Sequence, residues 1–513
     1  MLRLTSRVAI AAVVCVWIIA LTGCRRTAPQ PPLKAFLLYP NYRGMMFSDQ
    51  SQVARVAIEV KPPAGATMAQ LHAVLEVVNP DGKVLLSDRV SPPTDGSSVA
   101  TIDMRELPLG PYQLQSHLAG PSDQRIFISS PYRIVKISCE ARASMKAWID
   151  SENIIHMGGR PRFVIGLYDT TQAEIRPDDY APRLKEIARA PINLMINYFL
   201  STGRTDVIYP YTEAMEPFGI FYLATVNAFF PEMRAYPVEA RAANIGADEL
   251  IAQHAKALAG DSSVVGYYTC DECSDDVQSR TLHQYGLIKQ KDPASVTFAV
   301  ENNPDELQLW RHSVDVLGVD PYVLGSRYRE SYVGDMTRKA VGAVQGARPV
   351  WTVIQFFRMS SLSHFPTEQE LHDMSWMAIT EGARGVFYWS YGLRGLDWER
   401  DPVVRQKRYD ELVNVTRGIS ALEPVLLAPD RSVLSANSAS GIVITKEKDI
   451  RGGSRYLISY NHSGNAVDAR FTLDRPARSV SVYGENRSIA LDTSGSGFND
   501  TYAPFQAHVY KID

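Results

Sequence analysis

The alternation of hydrophobic and polar positions divides the chain into three regions. From residue 33 to about residue 146, short segments alternate apolar and polar residues and are separated by Pro, Gly, Asp and Ser. Examples are VARVAIEV (53–60), LHAVLEVV (71–78) and YRIVKIS (132–138). Alternation with a period of two and turn residues at this spacing predicts an antiparallel β-sandwich for residues 33–146.

The second region, residues 147–428, repeats the order strand, loop and helix. Helix-like stretches such as YAPRLKEIARA (180–190) and TEQELHDMSWMAITEGA (367–383) place apolar residues at helical spacing with charged residues between them. Eight runs predict strands: 163–169, 192–199, 219–227, 264–272, 296–302, 314–322, 349–357 and 385–391. Eight strands alternating with helices predict a (β/α)8 barrel, and the eighth strand disfavours the alternative of an open doubly wound sheet.

Alternation returns in the third region, residues 429–513, for example in RYLISYN (455–461) and FQAHVYKI (505–512). This pattern predicts a second, smaller β-sandwich.

In the first region, LPLGPYQLQSHL (107–118) resembles a turn and strand of immunoglobulin-like or fibronectin-like modules. The predicted fold class is therefore α/β: a TIM barrel flanked by an N-terminal immunoglobulin-like sandwich and a small C-terminal sandwich.

The first residues have the pattern of an export signal. Arg3 and Arg7 precede an apolar run at 8–20, and small residues follow. A charged start, a short apolar run and small residues are typical of a secretory signal. The run is shorter than the roughly 20 residues that span a membrane. Residues 1–23 are therefore predicted to be a signal peptide.

The residues Leu-Thr-Gly-Cys at 21–24 resemble the bacterial lipobox. This resemblance implies cleavage before Cys24 and a lipid on its sulfur. Residues 24–32 include RRTAPQPP and predict an extended, solvated tether, so that the folded part begins near Leu33. The expected location is the cell envelope, where the protein is lipid-anchored to a bacterial membrane and faces the periplasm or lies on the cell surface.

Charge and composition exclude several classes of partner. The net charge of −3 over 513 residues argues against nucleic acid and against a polybasic membrane patch. The ten histidines are scattered without an H-E-x-x-H motif, and no glycine-rich phosphate loop follows a predicted strand. No metal and no cofactor are predicted.

Once Cys15 is removed with the signal and Cys24 is lipidated, three cysteines remain, which is too few for a disulfide framework. Two of them, Cys270 and Cys273, form a C-D-E-C sequence. Thioredoxin-like redox chemistry is disfavoured, because it places such a pair at the start of a helix in a small fold. An oxidising periplasm allows a local disulfide that stiffens this part of the chain.

Functional side chains of a TIM barrel lie at the C-terminal ends of its strands. Carboxylates, amides and aromatic rings close the predicted strands, and this combination suits sugars, whose apolar faces stack on aromatic rings. The candidate catalytic carboxylates are Asp271, Glu272, Glu301 and Asp320. The candidate substrate-binding residues are Tyr168, Asn197, Tyr198, Asn227, Tyr322, Gln355, Trp389 and Tyr391.

Three segments carry a resemblance to TIM-barrel glycoside hydrolases. RPRFVIGLYD (160–169), VVGYYTCDE (264–272) and VDVLGVDPY (314–322) are similar to the first, fourth and sixth strands of that superfamily. The resemblance implies that Glu272 is a general acid and that the substrate is a polysaccharide or glycoconjugate. Glycosidic cleavage needs a protonated carboxyl group, and the charge of Asp271 favours a proton on its neighbour. The alternative is that the two acids only form ion pairs at the barrel rim.

The predicted seventh strand departs from this superfamily. It has Gln355 where retaining members carry a nucleophilic glutamate, and an amide cannot form the glycosyl ester. Three hypotheses stay open. In the first, Asp320 or Glu301 is the second carboxylate of an inverting enzyme. In the second, Asp271 and Glu272 act as in substrate-assisted hexosaminidases, and Tyr322 is hydrogen-bonded to the acetamido oxygen of the substrate. In the third, the barrel is a catalytically inactive glycan-binding or scaffold lipoprotein.

Overall fold

The computed structural model describes residues 31–91, 96–170, 177–200, 204–232, 236–431, 435–438, 443–450 and 453–513. The predicted signal peptide (1–23), Cys24 and all but the last two residues of the predicted tether (24–32) lie outside the described residues. Within the described ranges, no helix has both the length and the hydrophobicity of a membrane span.

The N-terminal region folds into two packed sheets. One sheet has the order β1–β3–β6, and the other has the order β2–β9–β7–β4–β5 with β8 beside β7. Alternate residues of the third strand, such as Val56 and Ile58, are buried between the sheets, which is why this sequence alternates. The strands are β1 (Leu33–Tyr39), β2 (Met45–Phe47), β3 (Val53–Val60), β4 (His72–Val78), β5 (Val84–Val90), β6 (Ser97–Asp103), β7 (Gly110–Ala119), β8 (Arg125–Ile128) and β9 (Tyr132–Ile137).

A small antiparallel sheet precedes the barrel. It contains β10 (Ala147–Ile149), β11 (Ile155–Met157) and β12 (Arg160–Arg162). Apolar side chains of this sheet, such as Ile155, join the core cluster of the barrel interior. The sheet therefore closes the barrel at the end where its strands begin.

Eight parallel strands form a closed barrel in chain order, so the predicted (β/α)8 architecture is confirmed. Phe298, Trp351 and Phe387 fill the interior, with ring centroids 4.9–5.5 Å apart. Gly166 makes room for them, because a Cβ there would lie 2.3 Å from the ring of Phe387. The strands are β13 (Val164–Thr170), β14 (Leu194–Asn197), β15 (Phe221–Thr225), β16 (Val264–Asp271), β17 (Val296–Glu301), β18 (Val316–Val319), β19 (Val350–Gln355) and β20 (Gly385–Gly392).

Helices surround the barrel, as the helical spacing of apolar residues predicts. Two of them begin at polar caps: Thr367 forms a capping box with Glu370, and the Asp401 side chain accepts hydrogen bonds from the Val403 and Val404 amides. The helices are α1 (Pro177–Ile187), α2 (Thr205–Met215), α3 (Val238–Ala242), α4 (Ala247–Leu258), α5 (Gln278–Lys291), α6 (Leu307–Trp310), α7 (Tyr332–Val344), α8 (Glu368–Thr380), α9 (Pro402–Ala421) and α10 (Glu423–Leu426).

The C-terminal region forms the predicted second sandwich, from sheets β21–β23–β24–β29–β26–β27 and β22–β25–β28. It packs on the barrel through α8: the Ala507 amide donates to Asp373 at 2.8 Å, and the Tyr460 hydroxyl donates to Glu381 at 2.6 Å. The strands are β21 (Asp430–Arg431), β22 (Ser435–Ser438), β23 (Val443–Asp449), β24 (Arg455–Asn461), β25 (Val467–Thr472), β26 (Val480–Val482), β27 (Arg487–Ile489), β28 (Gly497–Tyr502) and β29 (Ala507–Ile512).

A buried ion pair joins the N-terminal sandwich to the barrel. The Arg43 guanidinium donates to Asp315 at 2.9 and 3.0 Å, and both side chains are 1% exposed. The Tyr285 hydroxyl also donates to Asp315, at 2.9 Å. Burial opposes ionisation of Asp315, but the charge and hydrogen bonds of Arg43 outweigh it and lower the pKa of Asp315.

We expect Arg43→Met to destabilise the protein by about 3–5 kcal/mol, because it leaves Asp315 buried without its counter-charge. Urea titration at neutral pH measures the loss. The depressed pKa of Asp315 means that its contribution is present above the ordinary value of about 3.9 and is lost as the pH falls through the lower, folded value. The difference in free energy of unfolding between wild type and Arg43→Met is therefore expected to become smaller in acid.

The matched control is Arg105→Met, which removes an exposed ion pair with Asp103. It is expected to leave the unfolding midpoint unchanged. Equal midpoints for Arg43→Met and wild type at neutral pH would contradict the role of the buried pair.

Candidate active site

A cavity of about 220 Å³ opens at the end of the barrel where the strands finish. Seven of the eight strands contribute to it, through their last residues or the first residues of the loops that follow. This mouth cavity is lined by Tyr168, Tyr198, Asp271, Glu272, Val300, Asp320, Tyr322, Val353, Trp389 and Arg394. Wider clefts exist, such as one of about 500 Å³ beside α8 and α9, but the mouth cavity is where buried carboxyl groups meet aromatic rings.

Hydrogen bonds from two tyrosines fix Asp271 at the end of β16. The Tyr198 hydroxyl donates to Oδ2 at 2.6 Å, and the Tyr268 hydroxyl donates to Oδ1. Burial raises the pKa of Asp271, the two hydrogen bonds oppose this rise, and the charge of Glu272 adds to it. Asp271 is thus a carboxyl group of fixed orientation whose ionisation depends on its neighbours.

Glu272 is the next residue, and its backbone is in the left-handed region with φ of +47°. For a residue with a Cβ this conformation costs on the order of 1–2 kcal/mol. A hydrogen bond from the Glu272 amide to the Val300 carbonyl, 2.8 Å long, holds the turn against β17. The Glu272 side chain is exposed and lines the mouth cavity, where a substrate can reach it. Strained residues of this kind cluster at functional sites.

Asp320 is hydrogen-bonded to Glu272 from the loop after β18. Asp320 is only 6% exposed. Burial raises its pKa well above the ordinary value, and the negative charge and the hydrogen bond of Glu272 raise it further. Two carboxyl groups in hydrogen-bond contact share one proton, because both cannot ionise together at low cost. Asp320 therefore retains its proton to a higher pH than an ordinary aspartate does.

Aromatic rings form one wall of the mouth cavity. The ring centroid of Trp389 lies 4.9 Å from that of Tyr168 and 4.9 Å from that of Tyr198. Tyr322 packs edge-on against Phe357 on another side, with ring centroids 5.0 Å apart. Together these rings offer apolar surface beside the carboxyl groups, the combination expected of a sugar site.

Two of the candidate binding residues, Gln355 and Tyr391, have polar groups that are bonded inside the protein, and neither lines the cavity. Gln355 is fully buried, and its side chain exchanges two hydrogen bonds of 2.9 Å with the Leu324 backbone. Tyr391 points away from the cavity and donates to Glu186 of α1. The pairing of β13 with β20 is irregular between the partners of Leu167 and Asp169, and this shift turns Tyr391 outward.

Strand alternation places two further candidates, Glu301 and Asn197, away from the cavity, and a third, Asn227, also lies outside its lining. Val300 lines the cavity, so the next residue, Glu301, is on the side of β17 that faces the helices. Burial, followed by the charge of Glu306, raises the pKa of Glu301 to about 9. Asn197 is buried with its side chain accepting from the Phe199 amide, and Asn227 is buried in the loop after β15; neither is among the residues lining the cavity.

Two polar residues of the site were missed by the sequence analysis. Arg394 lines the cavity from the loop after β20, and Tyr268 donates to Asp271 from inside β16. For Arg394 the sequence offered one signal, namely its position just after the predicted eighth strand. Tyr268 is three residues before Asp271, a spacing that regular alternation assigns to opposite faces.

Cys270 and Cys273 form a disulfide with Cα atoms 6.0 Å apart, so the local disulfide considered from the sequence is present. Among the described residues, no group of three or more His, Cys, Asp or Glu side chains is arranged to hold a metal ion.

Solved structures with a similar fold include glycoside hydrolases. A glycoside hydrolase family 5 protein from Bacteroides vulgatus ATCC 8482 has a TM-score of 0.52 and 13% identity, over 72% of this chain and 93% of that chain. A second glycoside hydrolase has a TM-score of 0.50 and 10% identity, over 72% of this chain and 97% of that chain. This likeness is one of fold: these structures share the closed eight-stranded barrel. No family model and no curated protein sequence matches the chain.

Proposed function

We propose that this protein hydrolyses glycosidic bonds in a polysaccharide or glycoconjugate of the cell envelope, with Glu272 as the general acid. The observation that carries the proposal is the meeting of Asp271, Glu272 and Asp320 in one aromatic-lined cavity at the mouth of the barrel. Fold similarity alone does not assign an activity, so the proposal depends on these side chains.

Glu272 and Asp320 supply the proton. The buried Asp320 retains a proton to a higher pH than an ordinary aspartate does, and its hydrogen bond connects that proton to the exposed Glu272. The pair then protonates the glycosidic oxygen through Glu272 as the bond to the leaving group breaks. Carboxyl groups in direct contact are closer than the roughly 5–9.5 Å that separates the two acids of retaining or inverting enzymes, so Asp320 is a proton partner rather than the second acid.

The second carboxyl group of the reaction is Asp271. Tyr198 and Tyr268 fix its orientation, and each carboxylate oxygen retains a lone pair for a further hydrogen bond. Asp271 either positions an attacking water or orients the acetamido group of an N-acetylated sugar. Gln355 is excluded as a nucleophile, because it is a buried amide bonded to backbone.

The test is turnover of a panel of aryl glycosides and envelope polysaccharides, in which each sugar is present with and without a 2-acetamido group. Hydrolysis of the N-acetylated arm alone supports the acetamido role of Asp271, and hydrolysis of both arms supports the water role. The product is assayed with wild type and with Glu272→Gln in parallel. Absence of turnover on every member would contradict the proposed activity.

A glycan-binding protein without activity is the second candidate, and the amide at Gln355 favours it because strand β19 lacks the usual nucleophile. Calorimetric titration with the same sugars, compared with the turnover assay, distinguishes the hydrolase from the glycan-binding protein. Binding without turnover identifies a glycan-binding barrel, whereas turnover identifies the hydrolase.

We further propose that the protein is anchored in a bacterial membrane by a lipid on Cys24, as the lipobox-like residues 21–24 indicate. Cys24→Ser is expected to abolish incorporation of a labelled fatty acid and to release the protein from the membrane fraction. The control is Cys139→Ser, which keeps the lipobox. Equal labelling of Cys24→Ser and wild type would contradict the anchor.

A further inference from the structure

The disulfide between Cys270 and Cys273 encloses two of the three acids of the mouth cavity, Asp271 and Glu272, and no other residue. Cys270 is fully buried in a cluster with Ala299 and Trp310, and the partly buried Cys273 packs against the same cluster. Both ends of the four-residue segment are therefore fixed to the outer side of the barrel wall. The acids between them face the cavity.

The backbone between the two sulfur atoms is in an unfavourable conformation. Glu272 has a φ of +47°. Glycine adopts this conformation readily and asparagine does so at times, but most other residues adopt it rarely. The contact of Glu272 with Asp320 depends on this turn, because the turn directs the side chain into the cavity. A free chain would relax toward negative φ and move the carboxyl group.

The cysteines lack the accessibility and the helix position of a redox-active pair. The first cysteine of such a pair is accessible at the start of a helix. Here Cys270 is 0% exposed at the end of β16, and the next α-helix begins only at Gln278. The disulfide is thus suited to holding the backbone rather than to exchanging electrons.

We propose that the Cys270–Cys273 disulfide is a positioning element: it holds Glu272 in the left-handed turn that brings its carboxyl group to Asp320. This inference rests on the proposed glycosidase function for its effect on rate. It makes the activity dependent on an oxidising compartment, because cleavage of the bond by a dithiol or phosphine leaves two thiols and an unrestrained turn.

The test is the Cys270→Ser/Cys273→Ser double variant, assayed on a substrate that wild type hydrolyses. Displacement of a catalytic group by about 1 Å lowers rates by about 10²-fold, so kcat is expected to fall on that order while KM stays within twofold. The alkaline limb of the pH–rate profile is expected to move to lower pH, because the pKa of Asp320 is raised less when the charge of Glu272 moves away from it. A purely structural disulfide would lower the unfolding temperature without moving this profile.

Reduction provides a second test that does not depend on folding of the double variant. Cys139→Ser removes the single free cysteine among the described residues and is expected to keep full activity. Tris(carboxyethyl)phosphine then acts on the disulfide alone: loss of kcat on reduction and its return on reoxidation support the proposal. Unchanged kcat in both the reduced enzyme and the double variant would overturn it.

Hydrogen exchange at the Glu272 amide separates this inference from the proposed function. The amide donates to Val300, and its exchange is expected to accelerate at least tenfold on reduction, whether or not any sugar is hydrolysed. If wild type hydrolyses nothing, the glycosidase proposal fails and the exchange rate still decides the positioning role. Equal exchange before and after reduction contradicts that role.

Discussion

Glu272→Gln is expected to lower kcat by about 10²- to 10⁴-fold, the usual contribution of a general acid. Glutamine has nearly the same shape but has no proton to give to the leaving oxygen. The side chain is exposed at the cavity, so folding and sugar affinity are expected to stay close to those of wild type. Steady-state rates on the best substrate measure kcat, and calorimetric titration with the product sugar measures the affinity.

Glu301→Gln is the matched control, because it makes the same chemical change at a carboxyl group on the other side of the barrel wall. Burial keeps the pKa of Glu301 near 9, so this group is already neutral at pH 7 and the amide changes little. Its kcat is expected to remain within about threefold of wild type. Retained turnover in Glu272→Gln, or equal losses in the two variants, would remove Glu272 from the mechanism.

Asp320→Asn is expected to lower kcat/KM by about 10²-fold, at the lower end of the range for proton transfer. Asparagine still donates a hydrogen bond to Glu272, but it cannot share a proton with it. The alkaline limb of the pH–rate profile is expected to move to lower pH, because the variant lacks the Asp320 carboxyl group, whose pKa burial raises. A pH–rate profile of kcat/KM for both proteins gives the shift.

The Glu272→Gln/Asp320→Asn double variant checks that the two residues act as one unit. Its activity is expected to be close to that of Glu272→Gln alone, because removal of one member already disables the pair. Multiplied losses in the double variant would show that Asp320 works independently of Glu272.

The single substitution Asp320→Asn is expected to leave the unfolding temperature unchanged or to raise it. Burial raises the pKa of Asp320 above its unfolded value of about 3.9, so the folded protein retains a proton that the unfolded chain releases. The stability of the wild type therefore falls as the pH rises through that window. Asparagine carries no such penalty, and calorimetry at pH 4 and pH 7 shows the difference. Activity and stability then change in opposite directions.

The sequence predicted the architecture well because the signal is local. Each barrel strand is a short apolar run, and each helix is amphipathic, so the eight strands and their order follow from the spacing of apolar residues. Polar residues that end the runs mark the barrel mouth for the same reason. Asp271, Glu272 and Asp320 were therefore found without knowledge of their contacts.

The direction of each side chain was decided by strand pairing, which the sequence does not display. The pairing of β16 with β17 shifts between Tyr268 and Cys270, and this irregularity brings Tyr268 and Asp271 together although regular alternation separates them. A similar shift between β13 and β20 turns Tyr391 away from the cavity. Bulges arise from the fit between neighbouring strands, so they cannot be assigned from one strand alone.

By itself, the sequence determined which residue types reach the mouth of the barrel, because hydrophobic periodicity sets where each strand ends. Only the tertiary structure decided which of them share one cavity. It turned Glu301 and Gln355 into structural residues, buried Asp320 against Glu272, and gave Glu272 a left-handed backbone. Those properties depend on desolvation and on contacts between residues far apart in the chain, which no local pattern encodes.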